Sequence, residues 1–228
     1  MSENPIVNRR FPERKAFTGL ELSVALLIIA GGIFGFVPFS STPFLFGCAW
    51  ICLRLRRVGW RSVGLVRPAG SLRAILPGAL TGAVLQVFSL YALEPFIARL
   101  TGKLPDVSMF ANLVGNTFFL TISLLIAWTL AAFGEEMVYR GYLMNRFAFL
   151  FGENRTGWVL ALIVTSVLFG LVHLYQGPSG MISTGFSGLV FGLAYLANGR
   201  NLWAPIVAHG IYDTIGFVLI YLGRYPGM

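Results

Sequence analysis

The sequence predicts an all-α, polytopic bundle of about seven to eight transmembrane helices. Of its 228 residues, 56% are hydrophobic and only 11% are charged, and the mean hydropathy is +0.75. Soluble domains carry about 25% charged residues, so a composition this apolar indicates a bilayer as the solvent. Apolar stretches of roughly 20 residues, the length that a transmembrane helix needs, recur along the chain. They leave no room for a soluble domain of useful size.

Seven apolar stretches are the predicted spans, and proline or glycine residues separate several of them. The stretches cover residues 18–37, 39–53, 74–98, 112–133, 157–175, 181–198 and 203–222. The breaks fall at Pro38, Pro43, Pro68, Pro105 and Gly177-Pro178. The first 17 residues are polar and form a predicted cytoplasmic segment, followed by a single transmembrane domain over residues 18–228. We expect the first span to be retained as a helix, because it is too long for a signal peptide.

Pairs of glycines spaced four residues apart occur in three places. They are Gly31/Gly35, Gly78/Gly82 and Gly188/Gly192. Small residues at this spacing let two helix backbones approach closely in a membrane, so we expect each pair at a contact between helices.

The two cysteines, Cys48 and Cys52, share one helical face and are interpreted as small packing residues.

Basic residues are distributed unequally between the two sets of connecting segments. If the N-terminus is cytoplasmic, 14 of the 17 basic residues fall on cytoplasmic segments, and only Arg99, Lys103 and Arg224 fall outside. The positive-inside rule therefore predicts a multi-pass protein of the cell membrane with its N-terminus in the cytoplasm. The same distribution explains the net charge of +8, which in a soluble protein would suggest nucleic acid. We expect membrane lipid as a partner and no nucleic acid.

Five titratable side chains lie within apolar surroundings rather than near the ends of the chain or in polar loops. They are Glu135, Glu136 and Asp213, together with the only two histidines, His173 and His209. Ionisable groups inside a bilayer are costly and usually mark function. A lone histidine on an apolar helix is more often a hydrogen-bonding partner of a neighbouring helix. Two histidines and two acids without an evident partner favour a functional site in the C-terminal half.

The adjacent glutamates are predicted to have different roles. On a helix, Glu136 and Arg140 lie on one face with Cβ atoms about 5–6 Å apart, so they can neutralise each other. Glu135 is rotated by about 100° and remains available as a general base. The competing interpretation is a charge cluster at the cytoplasmic end of a helix.

Two chemistries fit these residues. Glu135, His173 and His209 are suitable in type and number as the three protein ligands of an open zinc site. Alternatively, Glu135 and His173 activate water directly, while His209 and Asp213 stabilise the developing oxyanion. In both, water adds to a carbonyl group. A divalent metal such as zinc is the one candidate cofactor, and the absence of an HExxH motif favours direct activation.

Three short motifs in the C-terminal half resemble those of the CPBP intramembrane proteases, also called ABI proteins, a group that includes type II CAAX prenyl endopeptidases and bacteriocin-processing relatives. The motifs are Glu135-Glu136-x-x-x-Arg140, Phe169-x-x-x-His173 and His209-x-x-x-Asp213. The resemblance covers roughly residues 110–222. It implies a helical intramembrane endopeptidase with a water-filled cavity that opens to the cytosol.

The resemblance also implies roles for individual residues. Glu135 and His173 would activate water, and His209 and Asp213 would support the oxyanion. The other motif residues would hold the frame of the site: Glu136, Arg140 and Phe169. The eukaryotic CAAX enzymes carry asparagine where this chain has Asp213. Because an ionised aspartate cannot donate a hydrogen bond, Asp213 would be protonated or would orient His209, and a prenylated substrate is not implied.

Two other classes of function use similar residues. Embedded Glu, His and Asp side chains also form proton relays in transporters, although the chain shows no inverted repeat. A non-catalytic scaffold related to the proteases would retain the same motifs. For the protease, the expected partner besides lipid is a lipid-anchored or membrane-associated peptide or protein substrate.

Spans assigned from hydropathy alone place Glu135 and His173 at very different depths in the bilayer. A fourth span that ends near Phe133 would leave Glu135 at the cytoplasmic surface, while His173 would lie about 24 Å deep at 1.5 Å per residue. We therefore predict that the fourth helix runs later, from about residue 116 to about residue 148. In the alternative, the helix ends at Gly134 and residues 135–151 lie flat on the membrane surface.

Overall fold

The computed structural model describes residues 15–38, 40–67 and 71–227, with only the backbone given for residues 71–74. The predicted N-terminal segment up to residue 14 and the predicted break at Pro68 lie outside the described residues. The described residues form helices and turns and contain no strand. The predicted all-α fold is confirmed.

Seven helices, which we label α1 to α7, form the bundle in the described part of the chain. They are α1 (Lys15–Ile33), α2 (Thr42–Leu55), α3 (residues 71–101), α4 (Thr117–Phe151), α5 (Arg155–Leu171), α6 (Gly177–Ala197) and α7 (Trp203–Tyr221). Short 3-10 turns lie at Trp60–Val63, Ser108–Leu113 and Leu174–Gln176. Five helices are long and apolar enough to cross a membrane, whereas α2 and α5 have 14 and 17 residues. The chain is a multi-pass membrane protein.

Two of the predicted breaks are helix starts. Pro43 and Pro178 each lie in the first turn of a helix, α2 and α6, where the missing N–H of proline costs no hydrogen bond. Helix α6 therefore begins at Gly177, earlier than the predicted span.

The fourth helix is continuous through the two glutamates. It runs for 35 residues, over Thr117–Phe151. Its hydrogen bonds widen to the π-helical pattern at Ala127–Glu135 and at Met137–Leu143, on either side of Glu136. The predicted long helix is confirmed, and the alternative of a separate surface segment over residues 135–151 is wrong. A helix of this length spans about 50 Å, so it can cross a bilayer with both glutamates near its middle.

The two halves of α4 have different surroundings. Side chains between Thr117 and Ala131 are mostly exposed or half-buried, whereas every side chain from Glu136 to Met144 is buried. The exposed half is apolar and faces lipid in a bilayer. The charged motif residues face the bundle interior, which is where a membrane protein tolerates them.

Glycines allow α3 to lie directly against α7. A Cβ atom added to Gly78 would lie 2.6 Å from the carbonyl oxygen of Ala204. One added to Gly82 would overlap the carbonyl oxygen of Ala208, the residue before His209. The predicted close contact is confirmed for this pair, and it fixes the position of α7.

The other two glycine pairs differ from each other. Gly188 of α6 lies against Phe169 and Arg140, and Gly192 lies against the side chains of α4 and α5, as predicted. Gly35 instead lies beyond the end of α1, with a φ of +76°. The prediction is wrong for Gly35, because glycine there permits a left-handed turn rather than a helix contact.

The connecting segments meet at two ends of the bundle. The basic end, named for its arginines, contains residues 56–67, 152–154 and 198–202. The opposite end contains residues 102–116, 172–176 and 222–227. At the basic end, the N–H of Leu202 donates to the carbonyl of Gly64 at 3.0 Å. At the opposite end, the N–H of Asp106 donates to the carbonyl of Gln176 at 2.9 Å.

Replacement of Gly82 tests the contact between α3 and α7. Gly82→Ala should destabilise the protein by about 1–3 kcal/mol, because the new methyl group has no space beside Ala208. The matched control is Gly47→Ala in α2, where an added Cβ meets no atom within 4 Å. Thermal unfolding of the purified proteins in detergent would show a lower midpoint for Gly82→Ala alone. Equal midpoints for the two variants would contradict the contact.

Candidate active site

The motif residues come from three helices and one turn, with Phe169 on α5. Glu135, Glu136 and Arg140 lie on α4, while His209 and Asp213 lie one turn apart on α7.

The motif Phe169-x-x-x-His173 ends differently from the prediction, which placed its histidine within a span. Helix α5 ends at Leu171, and His173 follows it in the connection to α6. The chain turns here because Gly177 adopts a φ of +77° immediately before Pro178 starts the next helix. His173 therefore stands at the end of a short helix rather than along its side.

The carboxylate of Glu136 joins two helices. Its Oε1 accepts hydrogen bonds from Nη1 of Arg140 at 2.7 Å and from Nδ1 of His209 at 2.9 Å. Glu136 is completely buried. The Glu136–Arg140 pair was predicted from the four-residue spacing, whereas the bond to His209, 73 residues away, was not. Because an ionised carboxylate only accepts, Nδ1 of His209 carries a proton.

Aromatic rings and a carbonyl complete the surroundings of Arg140. Its Nη2 donates to the carbonyl of Gly188 at 2.7 Å, and its Cζ lies 4.6 Å from the ring centre of Phe169. Phe191 lies against Arg140 at 5.6 Å and stacks on His209 at 4.8 Å. These cation–π and stacking contacts hold the guanidinium and the imidazole in place.

Phe169 also orients His173. The carbonyl oxygen of Phe169 lies 2.7 Å from Nδ1 of His173, and the two rings are 4.9 Å apart. A carbonyl oxygen only accepts, so Nδ1 is the protonated nitrogen. Nε2 has no hydrogen-bond partner among the described residues, and in the neutral ring it carries the lone pair.

Glu135 is held much more loosely than Glu136. Its Oε1 accepts one long hydrogen bond, 3.4 Å, from Oγ1 of Thr42 at the start of α2. Its Oε2 is buried and has no partner among the residues that the structure describes. Oε2 of Glu136 is likewise buried without a partner among these residues, so the two glutamates differ in the contacts of Oε1.

One cavity brings the candidate residues together. Its volume is about 380 Å³, and its lining includes Glu135, His173, His209 and Asp213. Oδ2 of Asp213 lies 3.4 Å from Nε2 of His209, on the side of the ring away from Glu136. His209 is therefore placed between two carboxylates. The cavity contains an acceptor oxygen, an acceptor nitrogen and a potential donor within one space.

Glu94 is a cavity residue that the sequence did not reveal. It is not one of the five titratable residues that the sequence indicated, but it is buried and lines the same cavity. Its Oε1 accepts hydrogen bonds from Ser89 at 3.0 Å and from Tyr225 at 3.1 Å. Ser89 begins a π-helical segment of α3 that ends just before Glu94. No sequence motif marks this group, and its partner Tyr225 is 131 residues away.

The candidate zinc ligands do not converge as a ligand set. No group of three or more His, Cys, Asp or Glu side chains is placed to hold a metal ion within the described ranges. The Nδ1 atom of each histidine is engaged, with Glu136 for His209 and with a carbonyl for His173, so Nε2 is the nitrogen that each ring could offer to a metal. As arranged among the described residues, Glu135 and the two histidines do not form the three-ligand set of an open zinc site.

The fold and the cavity define the class of protein, a polytopic membrane protein with carboxylate and imidazole groups gathered around a buried cavity. Residues 117–215 match the family described as "Type II CAAX prenyl endopeptidase Rce1-like". This match supports assignment of that region to the CAAX protease (CPBP) family, which the motifs predicted. All three motifs lie within the matched region. No curated protein and no solved structure matched the chain.

The two adjacent glutamates should respond differently to the loss of charge. Glu136→Gln should lower the stability by on the order of 3 kcal/mol, because it removes the charge that offsets buried Arg140. Glu135→Gln should leave the thermal midpoint nearly unchanged, since Glu135 has one long hydrogen bond. Both variants would be compared by thermal unfolding in detergent. A larger loss of thermal stability in Glu135→Gln than in Glu136→Gln would show that Glu135, not Glu136, holds the frame of the site.

Proposed function

We propose that the protein is an intramembrane endopeptidase that hydrolyses a peptide bond with water activated by Glu135 and His173. The observation that carries the proposal is that both side chains line one cavity and each has a free acceptor atom, Oε2 of Glu135 and Nε2 of His173. A water molecule between them would donate a hydrogen bond to each acceptor. One of the two lone pairs on the water oxygen would then point to a carbonyl carbon.

Proton transfer completes the proposed reaction. Glu135 takes a proton from the water molecule while the water oxygen bonds to the carbonyl carbon. This step gives a tetrahedral intermediate in which the former carbonyl oxygen is negative. The same proton then passes to the amide nitrogen as the C–N bond breaks. The products are a carboxylic acid and an amine, and Glu135 returns to its ionised form. A group with loosely held oxygens suits this role, because it must accept and release a proton in each cycle.

His209 and Asp213 are proposed to support the oxyanion. Nδ1 of His209 already donates to Glu136, so Nε2 can donate to an oxyanion only when the ring carries both protons. Glu136 and Asp213 supply negative charge on both sides of that ring. Asp213 therefore acts through His209, which is consistent with an aspartate at this position.

The reaction needs only protein groups and water. Because the candidate ligands form no cluster among the described residues, we propose no step that uses a metal. The arrangement also favours a protease over a proton-relay transporter. The cavity lining includes no residue from the connecting segments of the basic end, so it does not form a path through the described bundle.

The substrate is proposed to be a lipid-anchored or membrane-associated peptide or protein. The cavity lies within the bundle and its outer part carries apolar side chains, including Met109, Phe110 and Phe217. These would contact the apolar part of a substrate while the peptide bond reaches the polar residues. A prenyl group is one of the anchors that this lining would accommodate.

Hydrolysis of an internally quenched, lipid-anchored peptide by the purified protein tests the proposal. Glu135→Gln should lower kcat by about 100-fold or more, because the general base is lost. Glu153→Gln, on the segment between α4 and α5 and outside the cavity lining, is the control and should keep full activity. A chelator should leave the wild-type rate unchanged.

Two results would overturn parts of the mechanism. Full activity in Glu135→Gln would remove this residue from catalysis. Activity that is lost with a chelator and restored by zinc would replace direct water activation with a metal-dependent reaction.

A further inference from the structure

The two ends of the bundle carry very different numbers of basic side chains. Of the described side chains, nine lie at or near the basic end: Lys15, Arg54, Arg56, Arg57, Arg61, Arg67, Arg146, Arg155 and Arg200. Three lie at the opposite end: Arg99, Lys103 and Arg224. Lysine and arginine concentrate on the cytoplasmic side of membrane proteins. The basic end is therefore the cytoplasmic end.

The cavity opens at the other end of the molecule. Its lining includes residues from connecting segments of the opposite end, such as Pro105, Phe110, Gln176 and Tyr225. It includes none from residues 56–67, 152–154 or 198–202 at the basic end. The motif residues form the floor of the cavity, and the segments of the opposite end form its rim.

The short helices explain why the cavity has this direction. Helix α2 begins at Thr42, whose hydroxyl reaches Glu135 in the middle of α4, and runs from there to the basic end. Helix α5 runs from the basic end and stops just before His173. With 14 and 17 residues, they are about 21 and 26 Å long, less than the roughly 30 Å of a hydrocarbon core. Helix α2 begins and helix α5 ends at the level of the cavity floor, and the space beyond that level remains open.

We propose that the active-site cavity opens on the non-cytoplasmic side of the membrane. This inference deepens the proposed function and rests on it for the identity of the substrate. The substrate would be a lipid-anchored peptide or a membrane-protein segment that is presented from the non-cytoplasmic side. The sequence predicted a cytoplasmic N-terminus, and the family resemblance implied a cavity that opens to the cytosol. These two expectations are incompatible in this structure. The distribution of arginines supports the cytoplasmic N-terminus.

The chain offers a matched pair of positions for a labelling experiment. Ser62 and Ser108 are both exposed and both lie in short 3-10 turns, Ser62 at the basic end and Ser108 at the rim of the cavity. Each would be changed to cysteine in a background of Cys48→Ala and Cys52→Ala. Thermal unfolding and labelling after permeabilisation would establish that each variant is folded and reactive.

A membrane-impermeant maleimide on intact cells gives the decisive result. Ser108→Cys should be labelled without permeabilisation, and Ser62→Cys only after it. The reverse pattern, or labelling of both at equal rates in intact cells, overturns the proposal.

Peptide cleavage separates this proposal from the proposed function. In sealed right-side-out vesicles, the anchored peptide added outside should be cleaved without permeabilisation. Labelling of Ser108→Cys from outside, with no cleavage even in detergent, would support the direction of the cavity and contradict the peptidase activity. Cleavage that requires permeabilisation of the vesicles would contradict the direction of the cavity.

Discussion

The carboxylate of Glu136 is the group on which the arrangement of the site depends. It is completely buried and accepts hydrogen bonds from both Arg140 and His209, so it ties the centre of α4 to α7. Arg140 extends the same connection to the carbonyl of Gly188 on α6 and to the ring of Phe169 on α5. Four helices are therefore positioned around one ion pair. An unpaired charge in the same place would be very costly, which makes this set of contacts strongly interdependent.

Because Glu136 and Arg140 connect the helices, the catalytic candidates Glu135 and His173 are not needed to hold the bundle together. Glu135 and the Nε2 atom of His173 have no strong partner, although each stands next to a group that is firmly held. A proton acceptor that is already bonded to an arginine would be a weak base, which is why Glu135 rather than Glu136 is the proposed general base. The short helices α2 and α5 leave open the space that the proposed reaction requires for water and a peptide.

Much of this was predictable from the sequence, and the rest was not, for a physical reason. The four-residue spacing of Glu136 and Arg140 defines one helical face, so their pairing follows from local geometry. The need for Glu135 and His173 to share a site also predicted the long α4 correctly. The bond between Glu136 and His209 depends on how two distant helices rotate toward each other, which no local pattern encodes. The burial of Glu94 and the position of His173 beyond α5 depend on tertiary packing in the same way.

A double-mutant cycle between Glu136 and His209 tests the central connection most directly. Glu136→Gln, His209→Gln and the double variant would be compared by reversible unfolding in mixed micelles. If the two side chains share the hydrogen bond, the loss in the double variant should be smaller than the summed losses by about 1–3 kcal/mol. Losses that add to within about 0.5 kcal/mol would contradict a direct connection between α4 and α7 through Glu136.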